Sequence, residues 1–304
     1  MARSRAERRA LPGGGALPDP GDRTLRIALC QYDSRPVAYE WNVRHAFRYA
    51  EEAAANGADV IVLPEYSFCT ADDVLNGDAF FRFRKGKARL CDALSDFADE
   101  HDCHLVVNVP VEFKDEGDED VLHRRNRSVV FGPDGSVVAT YDKRGLAILD
   151  TCSAIEPGPR VGPVDLPFGR VGMMICRDST VPESFPLYRD ADLLLVQFAH
   201  ITAWDETSEP PVWLMNDIGN SLDDFPKIAA ACARELGLPL VMVNKTGMEP
   251  EGAYTGGSCA VGSDGRLVAR ADCGGDILYV DFPLDESGRL FGANPSEPAE
   301  TLRD

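Results

Sequence analysis

Short apolar runs, each closed by a turn former and separated by amphipathic stretches, set the pattern of this chain. Residues 25–30, 59–64, 105–109, 171–176, 192–197 and 238–244 are apolar almost without interruption. Such runs predict strands buried on both faces. Between them, residues 42–55 put Val43, Ala46, Phe47, Ala50, Ala53 and Ala54 at helical spacing and stop at Asn56-Gly57. Residues 87–100, 182–190 and 228–236 are also read as helices. Residues 128–141 and 258–271 are each two strands folded over a turn, at Pro133-Asp134-Gly135 and at Ser263-Asp264-Gly265.

The order of elements repeats, and so do some letters. Residues 131–140 (FGPDGSVVAT) align with 261–270 (VGSDGRLVAR), and 58–63 (ADVIVL) with 191–196 (ADLLLV). The pattern predicts an internal duplication of a strand–helix–strand–helix–strand–hairpin unit. The rival account, chance recurrence of generic turn chemistry, is open at this stage. Alternating strands and helices predict parallel pairing, with antiparallel hairpins at the edges. The fold class is therefore α/β: two mixed sheets face to face with helices outside. A site is then expected at the carboxyl ends of the strands.

Composition narrows the class of partner. The 304 residues are 44% hydrophobic, enough for one large core, and carry a net charge of −19. A surface this acidic repels nucleic acid and anionic lipid. No apolar stretch is long enough to span a bilayer. The arginines at positions 3, 5, 8 and 9 have no apolar segment behind them, so no secretory signal is read there. Residues 1–24 and 288–304 are read as tails around one domain at 25–287. The nine cysteines are irregularly spaced and include no C-x-x-C, which points to reduced thiols in a cytoplasmic protein.

Three polar residues stand where buried strands end. Cys176 closes the run 171–176, Glu65 follows 59–64, and Lys143 follows the first hairpin. A thiol that attacks a carbonyl or nitrile carbon needs a base, charge stabilisation for the oxyanion and a proton donor for the leaving nitrogen. Glu65 suits the base and shuttle. Lys143, with the backbone N–H of Arg177, suits the oxyanion.

These blocks, Leu63-Pro64-Glu65, Tyr141-Asp142-Lys143 and residues 172–178 (GMMICRD) with Pro182-Glu183, resemble the signature blocks of the nitrilase superfamily of carbon–nitrogen hydrolases. Gln31, Pro157-Gly158, residues 244–247 (NKTG) and Gly256-Gly257-Ser258 agree as well. The resemblance implies a four-layer α-β-β-α sandwich and a Glu65–Lys143–Cys176 triad. It implies homodimers or larger homo-oligomers and neither a metal nor an organic cofactor. The expected function is hydrolysis of a linear, non-peptide amide or carbamoyl bond through a thioester on cysteine. Nitrile hydrolysis, acyl transfer and a catalytically inactive binding module are the alternatives. Three departures stand out. The histidine that often follows the lysine is absent from Lys143-Arg144-Gly145-Leu146. The nearby acids for the family's second glutamate are Asp150 and Glu156, of which Glu156 abuts Pro157 at the wrong offset, and the role is left open. Arg177 replaces the tryptophan usual in true nitrilases, which favours amide or carbamoyl substrates.

Further candidates are weaker. Arg177 is a forked donor for a substrate carboxylate, or else a partner for Asp178 or Glu183. Tyr66, His200 and Glu156 are candidate substrate contacts by position. The cluster His101-Asp102-Cys103-His104 is read as a surface turn, not a metal site. The segment 202–226, rich in Asp, Glu and Pro, is expected to cover the pocket.

Overall fold

The computed structural model describes residues 23–115, 118–202, 224–249 and 252–290. Two six-stranded sheets make up the core. The first has the order β15-β1-β2-β3-β4-β5: β1 (Thr24–Gln31), β2 (Val60–Val62), β3 (His104–Asp115), β4 (Asp118–Phe131), β5 (Val137–Asp142) and β15 (Asp276–Pro283). The second has the order β14-β13-β10-β8-β7-β6: β6 (Val164–Leu166), β7 (Gly169–Ile175), β8 (Leu193–Gln197), β10 (Leu240–Val243), β13 (Cys259–Val261) and β14 (Leu267–Arg270).

The sheets repeat one topology. In the first, β1, β2 and β3 run parallel, β4 and β5 return as antiparallel neighbours, and β15 lies antiparallel on the far edge. In the second, β7, β8 and β10 run parallel, β13 and β14 return, and β6 takes the far edge. Even the hairpins match. Gly135 (φ 74°) and Gly265 (φ 76°) occupy the same left-handed turn position, where only glycine sits without strain. A Cβ at Gly135 would strike the Ser95 carbonyl, and one at Gly265 the Ala230 carbonyl. Each turn thus rests on the outer helix of its own half. The duplication read from the letters is present in the architecture.

Burial explains the apolar runs. Ile27, Leu29, Val60, Val62 and Val106 face Val171, Met173, Ile175, Leu195 and Val243 across the middle of the sandwich. Their neighbours Ala28, Cys30, Ile61, Leu105 and Val107 turn outward onto α1 (Tyr39–Ala55) and α3 (Asp78–His101). Met174, Leu194, Val196 and Met242 pack under α5 (Asp224–Leu236). A strand between a sheet and a helix has no face for water, so it shows no alternation. The result is the four-layer α-β-β-α sandwich.

Several boundaries move. The helix expected at 87–100 begins at Asp78, because Ala79, Phe80 and Phe83 extend the buried stripe of Leu90, Leu94 and Phe97. The short helices α2 (Ala71–Leu75) and α4 (Ile148–Cys152) were not expected, and the segment at 182–190 is a 3₁₀ turn, Pro182–Tyr188. A small third sheet of β9 (Ile201–Thr202), β11 (Thr246–Glu249) and β12 (Gly252–Thr255) was not expected either. The expected surface turn at 101–104 is corrected: His101 ends α3, while Cys103 and His104 are buried, and the His104 ring packs edge-on against Phe168. Among the described residues no cluster of His, Cys, Asp or Glu is able to hold a metal ion, and no helix is long and apolar enough to cross a membrane. Leu290, assigned to a tail from the sequence, is buried in the inter-sheet core and its N–H donates to the Phe168 carbonyl. Most of the segment expected to cover the pocket, residues 203–223 with Trp204, lies outside the described residues, as do 1–22 and 291–304.

Candidate active site

Three loops meet where the parallel strands end. The first follows β2 and carries Glu65. The second follows β5 and carries Lys143. The third follows β7 and carries Cys176 at the head of a 3₁₀ turn, Cys176–Thr180. Glu65 and Lys143 are each only 2% exposed, whereas Cys176 keeps a partly open surface. The sandwich therefore brings together three residues that lie far apart in the chain.

The loops are held in unusual backbone shapes. Cys176 has φ 48° and Tyr66 φ 53°, the left-handed region that costs a side-chain-bearing residue energy. Asp178 clasps the cysteine turn. Its Oδ2 accepts from Ile175 N–H at 2.9 Å and from the Tyr141 hydroxyl at 2.8 Å. Its Oδ1 accepts from Gly145 N–H at 2.5 Å and Arg144 N–H at 3.2 Å. One buried carboxylate thus ties the cysteine turn to the lysine loop. Burial pushes the Asp178 carboxyl above its ordinary range, against the opposing pull of those N–H donors.

At the centre is the Lys143 ammonium. It donates to Glu65 Oε1 at 2.8 Å and is paired with Asp150 Oδ2 at 2.8 Å. Burial alone would lower its proton affinity, yet the charges of Asp150 and Glu65 outweigh it and hold the lysine well above its usual value. Glu65 also accepts from Asn126 Nδ2 at 2.8 Å and, through Oε2, from the Ala199 N–H at 2.9 Å. Burial pushes Glu65 up, Lys143 pulls it back and Asp150 raises it again. The Cys176 thiol is pushed well up, first by burial and then by Glu65, with Lys143 opposing. The arrangement sets a thiol in the field of an ammonium held between two buried acids. Such a set is chemically able to take a proton from sulfur and to stabilise negative charge nearby.

The remaining candidates separate. Asp150, one of the two acids left open by the sequence, lies against Lys143, accepts from Tyr66 Oη at 3.0 Å, and is itself fixed by Ala147 N–H at 2.8 Å. Glu156 is not brought to this centre: its carboxylate pairs with His123 at 2.9 Å and with Arg125 toward solvent, which holds it below its usual range. Tyr66 is buried with its hydroxyl committed to Asp150, so it braces the acid. His200 follows Ala199 and anchors its N–H on Asn244 Oδ1 at 2.9 Å, at the edge of the centre. Arg177 directly follows the cysteine and is partly exposed.

Sequence reasoning missed Asn126 and Asn108. Asn126 sits on β4, orients Glu65, and accepts from Asn108 Nδ2 at 2.8 Å; Asn108 in turn accepts the Tyr66 N–H at 2.7 Å. A signal was available: Asn108 interrupts an apolar run, and a buried amide needs partners.

Comparison with known proteins gives a consistent picture. The family model for carbon–nitrogen hydrolase matches residues 26–290. The chain is 26% identical to the omega-amidase NIT2 of Homo sapiens over 280 residues, spanning 88% of this chain and 91% of the relative. It is 25% identical to the Danio rerio omega-amidase NIT2 over 273 residues, spanning 86% and 88%. Among solved structures it is similar in fold to a carbon–nitrogen hydrolase from Helicobacter pylori G27, with a TM-score of 0.72, 21% identity, and coverage of 85% and 88%. An amidase from Nesterenkonia sp. has a TM-score of 0.66, 24% identity, and coverage of 86% and 92%.

Proposed function

Because the chain belongs to the carbon–nitrogen hydrolase family and is an amidohydrolase, we propose that Cys176 is its nucleophile, Glu65 its general base and Lys143 its electrostatic stabiliser. The observation that carries this is the buried ammonium of Lys143, held at 2.8 Å by both Glu65 and Asp150 and felt electrostatically by the Cys176 thiol. Glu65 takes the thiol proton as sulfur attacks the amide carbonyl carbon. The oxyanion forms beside Lys143 and the backbone N–H of Arg177. Glu65 passes the proton to the leaving nitrogen, the C–N bond breaks, and ammonia or an amine departs from a thioester. Water, deprotonated by Glu65, then attacks the thioester and releases the acid.

We assign the substrate to the amides of small carboxylic acids. The omega-amidase relatives support this class, and Arg177, next to the nucleophile, offers a forked donor to a carboxylate at the far end of such a molecule. The test is Cys176→Ala with a panel of amides, carbamoyl amino acids and nitriles, scored by ammonia release. Wild-type protein is expected to release ammonia from amides and to trap an acyl group on Cys176 visible by intact-mass spectrometry. The variant is expected to keep its circular dichroism and lose turnover. A folded Cys176→Ala protein with undiminished rate refutes the assignment.

A further inference from the structure

Behind the candidate triad lies a second buried cation that the proposed reaction leaves unused. Lys245 follows β10 and is fully enclosed. Its ammonium donates to the backbone carbonyls of Tyr66, at 3.1 Å, and Cys69, at 2.5 Å. Both carbonyls belong to the loop that presents Glu65. That loop is also gripped from the other side: the Tyr66 N–H is taken by Asn108, the Ser67 N–H donates to the Asn108 carbonyl at 3.0 Å, and the Tyr32 hydroxyl donates to the Ser67 carbonyl at 2.9 Å. The strained Tyr66 peptide is thus pinned at both ends, and the pin on its carbonyl end is a charged group from the opposite sheet.

We propose that Lys245 is a positioning residue for Glu65: it fixes the loop that aims the carboxylate, and its ammonium favours the ionised form of that carboxylate. The inference rests on the reading of Glu65 as general base. Two features favour an electrostatic role beyond a structural one. An amide or hydroxyl would serve as a neutral donor to two carbonyls, yet the chain buries a lysine there, and burial pulls its proton affinity below the usual lysine value. Glu249 on β11, the Cys69 thiol, Asp73 on α2 and Glu65 oppose that loss and favour the ammonium, which lies 5.2 Å from the centre of the Tyr254 ring on β12. Around Glu65 itself the other titratable groups are Lys143, Asp150 and Cys176.

The experiment compares kcat/KM against pH for wild type, K245M and K245Q on an amide that wild type hydrolyses. Loss of the charge is expected to move the acid limb up by about one pH unit in both variants. K245Q, which still donates, is expected to keep roughly tenfold more kcat than K245M. KM should change little. Folded variants with an unmoved acid limb would overturn the inference, even if kcat falls, because a structural brace alone does not shift a titration. If neither variant folds, K245R decides: it keeps a cation on the same carbonyls and is expected to hold the acid limb at its wild-type position, and a limb moved up overturns the inference. An E65Q protein with wild-type turnover would overturn the base assignment and this inference together, whereas an unmoved limb overturns the inference alone.

Discussion

A lysine between two buried carboxylates is a poor device for stability. Desolvating three charges costs more than a well-packed apolar cluster of the same volume. Its value lies in what it does to the groups around it. Lys143 stays charged far above neutral pH, while Glu65 is raised toward the range where a base both accepts and returns a proton. The sign follows directly. The proposed mechanism needs Glu65 ionised, so kcat/KM should fall as pH drops through the raised Glu65 value, which lies above the ordinary carboxylate range. Burial and Glu65 push the thiol well up against the pull of Lys143, so no gain should appear near the usual thiol value, and the profile should stay flat through neutral pH. A pH-rate profile on any substrate amide checks this; an acid limb at or below the ordinary glutamate value of 4.5 would contradict it.

At the scale of elements, the loops matter more than the strands. Gly158, in the Pro157-Gly158 pair, has no room for a side chain: a Cβ there would sit 2.4 Å from the Asp142 carbonyl, and the Gly158 N–H donates to the Lys143 carbonyl at 2.9 Å. Gly158→Ala is therefore expected to push the lysine loop aside. It should cost about 1–3 kcal/mol of stability and lower kcat more than it raises KM, measurable by denaturant melts and steady-state rates. Wild-type kcat in that variant would show that the loop tolerates the shift. The same scale shows what pattern alone conveys. The six core strands were legible because double burial leaves unbroken apolar runs. The extra turns of α3, the small third sheet and β15 were not, because charged and aromatic residues such as Arg82, Tyr254 and Tyr279 mix with their apolar positions and blur the period.

For the whole molecule, the two sheets are held by one apolar layer and a few polar ties. Gln197 is the clearest tie: its amide donates to the Leu63 carbonyl at 2.6 Å and its carbonyl accepts from Ser128, joining β8 to the opposite sheet near Glu65. Phe282 on β15 represents the apolar layer, fully buried and distant in sequence from every proposed catalytic residue. Phe282→Ala is expected to cost about 3–5 kcal/mol, read as a lower urea midpoint, while kcat per folded molecule stays at the wild-type value. A fall in kcat in the folded fraction would mean that the sandwich edge and the site are coupled.

The chain's letters by themselves determined the duplicated α/β plan and marked Glu65 and Cys176 as candidates, because a polar residue ending a doubly buried strand has few structural reasons to be there; Lys143 was marked by its place after the first hairpin. Tertiary structure alone decided which acid joins the lysine. Asp150 and Glu156 are both near in sequence, but α4 turns Asp150 inward onto Lys143 while Glu156 is drawn toward His123 and Arg125. Sequence offset fixes distance along the chain, not direction. Direction comes from how a five-residue helix is seated among Tyr66, Phe80 and Ile155, a packing result that no local pattern encodes.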